Sequence, residues 1–170
     1  MARLFFALWP NDEVRKELRK VSNLYKDENI RLTKNSNLHI TLEFLGEVSE
    51  QDQAELIQQT NNIISKPFSF ELTSIGYWPK PGILWIAPEI IPDELLNLVK
   101  QIQTMVKQQG LRIDERPYKP HVTIARKVKW HTVTKKSIHL PWIVSSFALI
   151  VSKPGNSGVY YEPIEEWPLV

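Results

Sequence analysis

The sequence predicts an α+β protein made of two similar lobes of antiparallel sheet with flanking helices, related by a pseudo-two-fold axis. Three observations predict it. Apolar residues recur at helical spacing in three segments, and β-branched or aromatic runs fill the gaps between them. A short element, His-x-Thr, occurs twice, at His39 and at His121, 82 positions apart.

In chain order, the first strand is expected at Arg3–Leu8. Asn11 can cap a helix whose apolar residues Val14, Leu18, Val21 and Tyr25 share one side. The strand Leu38–Leu45 follows. Ser49 with Asp52 resembles a capping box, opening a helix with Leu56, Ile57, Thr60, Ile63 and Ile64 on one side. Strands Phe68–Trp78 and Ile83–Ala87 flank a turn at Lys80-Pro81-Gly82. Pro92-Asp93 begins a third helix with the stripe Leu95, Leu96, Val99, Ile102 and Met105, and Gly110 stops it. Strands His121–Lys127, Ile143–Ser152 and Val159–Pro163 complete the pattern, the last two flanking Lys153-Pro154-Gly155. Helix, His-x-Thr strand and Lys-Pro-Gly hairpin thus recur in each half. No segment reads as a flexible linker, so residues 1–170 are expected to form one bilobal domain.

Composition narrows the function. Apolar residues make up 42% of the chain and charged residues 24%, ordinary globular values. No apolar run reaches transmembrane length, and the apolar stretch after Met1 is too short for a signal peptide. A cytoplasmic protein with no membrane contact is therefore expected. Cysteine is absent, which excludes disulfides, thiolate nucleophiles and cysteine-ligated metal. The net charge is only +2, but from Arg116 to Tyr161 there is no acidic residue and eight basic ones fall there, Arg116 included. Such asymmetry suits an anionic ligand and equally suits a solvated basic loop.

Two of the four histidines sit in one local pattern, Leu38-His39-Ile40-Thr41-Leu42 and Pro120-His121-Val122-Thr123-Ile124. On a strand, His and Thr two apart share a face, while Ile40, Leu42, Val122 and Ile124 point to the other. By chance, two of four histidines would meet this full pattern on the order of once in a thousand. His131 and His139 lack it and are assigned no catalytic role. Imidazole titrates near neutral pH, so one neutral ring can take a proton while a second, protonated ring gives one. Displacement at phosphorus requires that pair, and threonine hydroxyls can donate to the non-bridging oxygens. Neither histidine has a carboxylate or third histidine at a usual metal-ligand spacing, so neither a metal nor another cofactor is expected.

These paired elements, the opening Arg3-Leu4-Phe5-Phe6-Ala7-Leu8 and the run from Pro120 to Arg126 resemble the 2H phosphoesterase superfamily. Within it, the sequence looks most like the bacterial and archaeal RNA 2′,3′-cyclic phosphodiesterases, also called 2′-5′ RNA ligases. The resemblance implies a groove between two antiparallel sheets and hydrolysis of a terminal 2′,3′-cyclic phosphate to a 2′-phosphomonoester. It implies His39 as proton donor, His121 as proton acceptor, and Thr41 and Thr123 as phosphate-holding residues. Arg126 stands where the family has an arginine suited to phosphate, although strict alternation puts it on the face opposite His121; a bulge would swing it round. Phe44, at the matching position, reads as core, and Tyr118 reads as packing. The expected partner is RNA or an oligonucleotide with a 2′,3′-cyclic phosphate end, with no obligate protein partner evident. Ligation through 2′-5′ bonds, another cyclic nucleotide substrate and a non-catalytic nucleotide- or RNA-binding module are the alternatives.

Overall fold

The computed structural model describes residues 1–129 and 136–170. His131 and Lys135 lie outside the described residues. Strand β1 (Ala2–Leu8) leads to helix α1 (Asp12–Asn23), a two-residue strand β2 (Arg31–Leu32) and a single 3-10 turn at Asn35–Asn37. Then come β3 (Ile40–Val48), α2 (Glu50–Thr60), β4 (Phe68–Leu72), β5 (Ser74–Trp78), β6 (Ile83–Ala87) and α3 (Asp93–Gln108). Strands β7 (Val122–Arg126), β8 (Leu140–Val144), β9 (Ser146–Lys153) and β10 (Tyr160–Pro168) finish the fold.

The helix starts follow from side-chain caps. Asn11 Oδ1 accepts from Val14 N at 2.9 Å and Ser49 Oγ from Asp52 N at 3.1 Å, each satisfying an orphan donor of the first turn. Gly110 adopts φ +74 just beyond α3, where a glycine carries no Cβ penalty. Two stripe assignments differ. Helix α2 ends at Thr60, leaving Ile64 exposed, and Leu96 of α3 is exposed while Leu98 and Val106 are buried. Thr60 itself closes α2 by donating its hydroxyl to Leu56 O.

All strands pair antiparallel. One lobe runs β10-β9-β1-β3 and the other β7-β6-β5, with β2 on β7, and the lobes join where Ile40 pairs with Val122. The long strands read at residues 68–78 and 143–152 are each broken, at Thr73 and Ser145. Their first parts, β4 and β8, leave the lobes and pair with each other, Phe70 opposite Trp142. Alternation in β4 and β8 buries Phe68, Phe70, Leu72, Leu140, Trp142 and Val144 on one face. Ile40 and Val122 each follow the motif histidine, and Phe70 and Trp142 each sit at the middle of a five-residue strand. Equivalent residues pair with each other only across a two-fold axis, so the pseudo-two-fold passes through both pairs.

The structural repeat is offset from the hairpin repeat suggested by Lys-Pro-Gly. Trp85 of β6 pairs with Thr123 as Ala7 of β1 pairs with Thr41, and each of these strands is followed by a helix. The repeating unit is therefore strand, helix, His-x-Thr strand and two further strands. The β5–β6 hairpin crosses from one unit to the next, and β10 is an added edge strand. Each unit lends its last strand to the other lobe: β5 joins β6 and β7, while β9 joins β1 and β3. That exchange makes the two lobes share one continuous core, running from Leu4 and Phe6 through Ile40, Val122 and α3 to Phe147. Among the described residues, no helix is long and apolar enough to cross a membrane.

Candidate active site

Both histidines stand just before the strand that carries their threonine, and both lie at the point where the lobes meet. A groove of about 1060 Å³ runs there, lined by His39, Thr41, His121, Thr123 and Arg126 among others. Every residue singled out from the sequence as a candidate is brought to this one groove.

The two imidazoles are held alike on one side. His39 Nδ1 donates to Asn37 O at 2.6 Å, and His121 Nδ1 donates to Lys119 O at 2.7 Å. A carbonyl can only accept, so each neutral ring carries its proton on Nδ1 and keeps the Nε2 lone pair free. For His39 that Nε2 lies 2.9 Å from Thr41 Oγ1, whose hydroxyl donates to it. His39 is packed among aromatic rings, with Phe5 at 4.9 Å, Tyr161 edge-on at 5.3 Å and Trp9 stacked at 6.0 Å between centroids. These rings rest on a small apolar cluster of Phe5, Ala7, Ala148 and Ile150 on the groove side of β1 and β9. Trp78 meets His121 edge-on at 4.7 Å.

Such surroundings disfavour imidazolium. Burial lowers His39 to about 4, with a further push from the positive charges of His121, Arg15 and Arg126, against the hydrogen bond to Asn37. Burial lowers His121 as well, opposed by its bond to Lys119 and reinforced by Arg126. An anion in the groove reverses the electrostatic part of that balance.

Beta-bulges decide what else faces the groove. Ala7 pairs with Thr41 and Phe6 with Glu43, leaving Leu42 unmatched; Trp85 pairs with Thr123 and Leu84 with Ala125, leaving Ile124 unmatched. Two consecutive buried residues result in each strand, Leu42-Glu43 and Ile124-Ala125. The next residue then returns to the threonine's face. This swings Arg126 into the groove, against the strict alternation expected from the sequence. It also places Phe44 there, 53% exposed, which corrects its reading as core. Tyr118 both packs and lines the groove, its hydroxyl donating to Thr41 O at 3.1 Å.

Glu43, next to the unmatched Leu42, is a buried carboxylate that accepts from Asp114 N at 2.6 Å and Gln103 Nε2 at 2.7 Å. Burial raises its pKa against those two bonds. His139 lies outside the groove lining, its Nε2 3.3 Å from Glu71 Oε1. Of the basic run after Arg116, Arg116, Lys119 and Arg126 line the groove, whereas Lys136 Nζ donates to Leu24 O beyond α1. Arg31, Lys34 and Lys80, outside that run, line it too. Among the described residues, no three His, Asp or Glu side chains converge as a metal-binding group.

Asn37 is the residue that sequence reasoning missed most consequentially. Its buried side chain donates from Nδ2 to Val159 O at 3.0 Å and accepts at Oδ1 from Tyr161 N at 3.1 Å, so β10 anchors the residue whose carbonyl holds His39. The only signal in the sequence was its place two residues before the histidine. Its partners lie more than a hundred residues away.

A family model for LigT-like phosphoesterases matches the chain twice, over residues 8–85 and 86–161. The chain belongs to the LigT-like phosphoesterase family. The two matched stretches begin at Leu8, the last residue of β1, and at Ile86, the last but one of β6, which are equivalent positions of the repeat. The RNA 2′,3′-cyclic phosphodiesterase of Escherichia coli (strain K12) is 27% identical over 169 residues, covering 98% of this chain and 96% of that protein. The protein of the same name from Methanocaldococcus jannaschii is 29% identical over 177 residues, covering 97% and 99%. The crystal structure of E. coli LigT complexed with 3′-AMP matches at a TM-score of 0.91, with 27% identity over 99% of this chain and 98% of that one. This LigT-like phosphoesterase therefore shares its fold with relatives along nearly its whole length, both lobes included.

Proposed function

We propose that this protein hydrolyses the terminal 2′,3′-cyclic phosphate of RNA to a 2′-phosphomonoester, using two histidines and no metal. The observation that carries the reading is the presence of two histidines in the lining of one groove, each ring fixed by the same Nδ1-to-carbonyl bond. The names of the relatives and the 3′-AMP complex of E. coli LigT support a nucleotide phosphate as the ligand. The chain acts as one bilobal domain over residues 1–170, because each lobe contains a strand from the other repeat.

In the reaction, His121 Nε2 takes a proton from water as the water oxygen attacks phosphorus. The bond from phosphorus to the 3′-oxygen breaks, and His39 Nε2–H gives its proton to that oxygen. The product is a 2′-phosphomonoester with a free 3′-hydroxyl, leaving His39 neutral and His121 protonated until solvent resets both. Thr41 and Thr123 donate hydroxyls to the non-bridging oxygens, and the Arg126 fork offsets their charge. The direction of the two proton transfers follows the family resemblance, since the near-symmetric motifs do not choose one. A bound phosphate anion raises His39 from about 4, so that it carries a proton at the moment of reaction.

The test is to incubate purified protein with an oligoribonucleotide ending in a 2′,3′-cyclic phosphate and identify the product by phosphorus NMR. A 2′-phosphomonoester supports the proposal. A 3′-phosphomonoester, or an unchanged substrate, contradicts it. A 2′-5′ joined strand formed with an added 5′-hydroxyl acceptor indicates ligation instead.

A further inference from the structure

Strand β2 is only two residues long, yet it sets a costly pair. Arg31 lies directly opposite Arg126 in the antiparallel register, and Leu32 lies opposite Ala125. Directly opposed residues share a face with their Cβ atoms about 5 Å apart, and like charges there destabilise the pairing. Among the described residues neither guanidinium has a carboxylate within ion-pair distance; the ion pairs there are Lys20–Glu17, Arg116–Asp114, His139–Glu71 and Lys153–Glu162. Both arginines line the groove. An anion bound between or beside them turns the repulsion into attraction.

The fold also makes room for the Arg31 guanidinium. Gly158, in the β9–β10 loop, has φ +103, and a Cβ placed on it would stand 2.8 Å from Arg31 Nη2. A larger residue would displace the guanidinium, which reaches toward Ser157 O at 3.5 Å. Arg126 is close enough to act on both His39 and His121. Arg31 is held on β2 beside the β9–β10 loop, one strand over from β7, which carries Thr123 and Arg126.

We propose that Arg31 binds the phosphodiester joining the terminal nucleotide to the rest of the RNA, one phosphate upstream of the phosphate held by Arg126. This inference rests on the reading of the groove as an RNA-end site. The diester carries one negative charge and two non-bridging oxygens, the shape a guanidinium fork takes in two parallel bonds. A nucleoside 2′,3′-cyclic monophosphate has no such diester. Arg31 thus makes the protein select oligonucleotide ends over cyclic mononucleotides.

The experiment compares wild type, Arg31→Ala and Arg31→Lys on two ligands, a nucleoside 2′,3′-cyclic monophosphate and a diribonucleotide ending in a 2′,3′-cyclic phosphate. Dissociation constants from calorimetry are measured beside kcat/KM, and melting curves confirm that the variants fold. Arg31→Ala is expected to weaken the dinucleotide about 10- to 100-fold more than the mononucleotide. Its salt dependence on the dinucleotide should lose about 0.7 of log–log slope, one phosphate contact on a single strand. Arg31→Lys should recover part of the loss, keeping the charge without the fork. An equal loss on both ligands, or none on either, overturns the proposal. Tight, Arg31-dependent binding of the dinucleotide without turnover would sustain it while overturning the hydrolytic function. Failure of the wild type to bind the dinucleotide more tightly than the mononucleotide overturns it as well.

Discussion

Thr41 Oγ1 lies 2.9 Å from His39 Nε2, so the hydroxyl donates to the nitrogen that is proposed to carry a proton in the reaction. Phosphate binding must turn that hydroxyl outward to a non-bridging oxygen as His39 becomes charged. Replacing His39 or His121 by Ala should each lower turnover about 10²- to 10⁴-fold, the usual worth of a general acid or base. Replacing His139, which lies beside Glu71 outside the groove lining, should change turnover by less than about 2-fold on the same scale. Steady-state kinetics on folded variants decides this; a near wild-type rate for His39→Ala or His121→Ala rejects the two-histidine mechanism.

Asn37 should matter for rate beyond its contribution to stability. Its side chain is fixed by Val159 O and Tyr161 N, and its own carbonyl fixes the His39 tautomer. Asn37→Ala should lower kcat about 10- to 100-fold, since small misplacements of a reacting group are costly. It should also change the nitrogen chemical shifts that report His39's tautomer, while those of His121 stay as they are. Unaltered kcat and His39 shifts in a folded variant would show that Asn37 serves the fold alone.

The pH dependence follows from burial. His39 is lowered to about 4 and His121 is lowered too, so in the free protein both lose their protons below the ordinary imidazole value of about 6.5. The productive form needs one proton shared unequally, and the profile of kcat/KM should be a bell whose basic limb falls below about pH 6.5. A bound phosphate anion favours imidazolium, so the basic limb of kcat should lie at higher pH than that of kcat/KM. The limbs belong to the pair as a coupled system. A rate that climbs steadily beyond about pH 9 would indicate hydroxide attack without a general acid.

Excess EDTA should leave activity unchanged. The chain has no cysteine, and among the described residues no three His, Asp or Glu side chains gather at one point. Activity lost in EDTA and restored by a divalent cation would overturn the metal-free mechanism.

What was legible in the sequence was local. The caps at Asn11 and Ser49, the stripe of α1, most of that of α3 and the His-x-Thr alternation all depend on neighbours within a few residues. What was hidden depends on partners far along the chain. The exchange of β5 and β9 between lobes leaves no local trace, and Lys-Pro-Gly suggested the wrong repeat boundary. The bulges at Leu42 and Ile124 carry no glycine to announce them, so alternation sent Arg126 to the wrong face and Phe44 to the core. Breaks at Thr73 and Ser145 were invisible because both halves of each strand keep β-favouring residues. The aromatic wall of Phe5, Trp9 and Tyr161 around His39 assembles from the two ends of the chain, β1 with the residue after it and β10.

The central claim, that His121 removes the proton from water and His39 supplies one to the leaving 3′-oxygen, is tested most directly by changing the leaving atom. A nucleoside 2′,3′-cyclic phosphate with sulfur in place of the 3′-oxygen departs as a thiolate, whose pKa of about 8.5 removes the need for a general acid. With that substrate, His39→Ala should approach the wild-type rate, while His121→Ala should remain about 10²- to 10⁴-fold slow. Rescue of His121→Ala instead would reverse the two roles, and equal loss in both variants on both substrates would contradict acid–base catalysis by this pair.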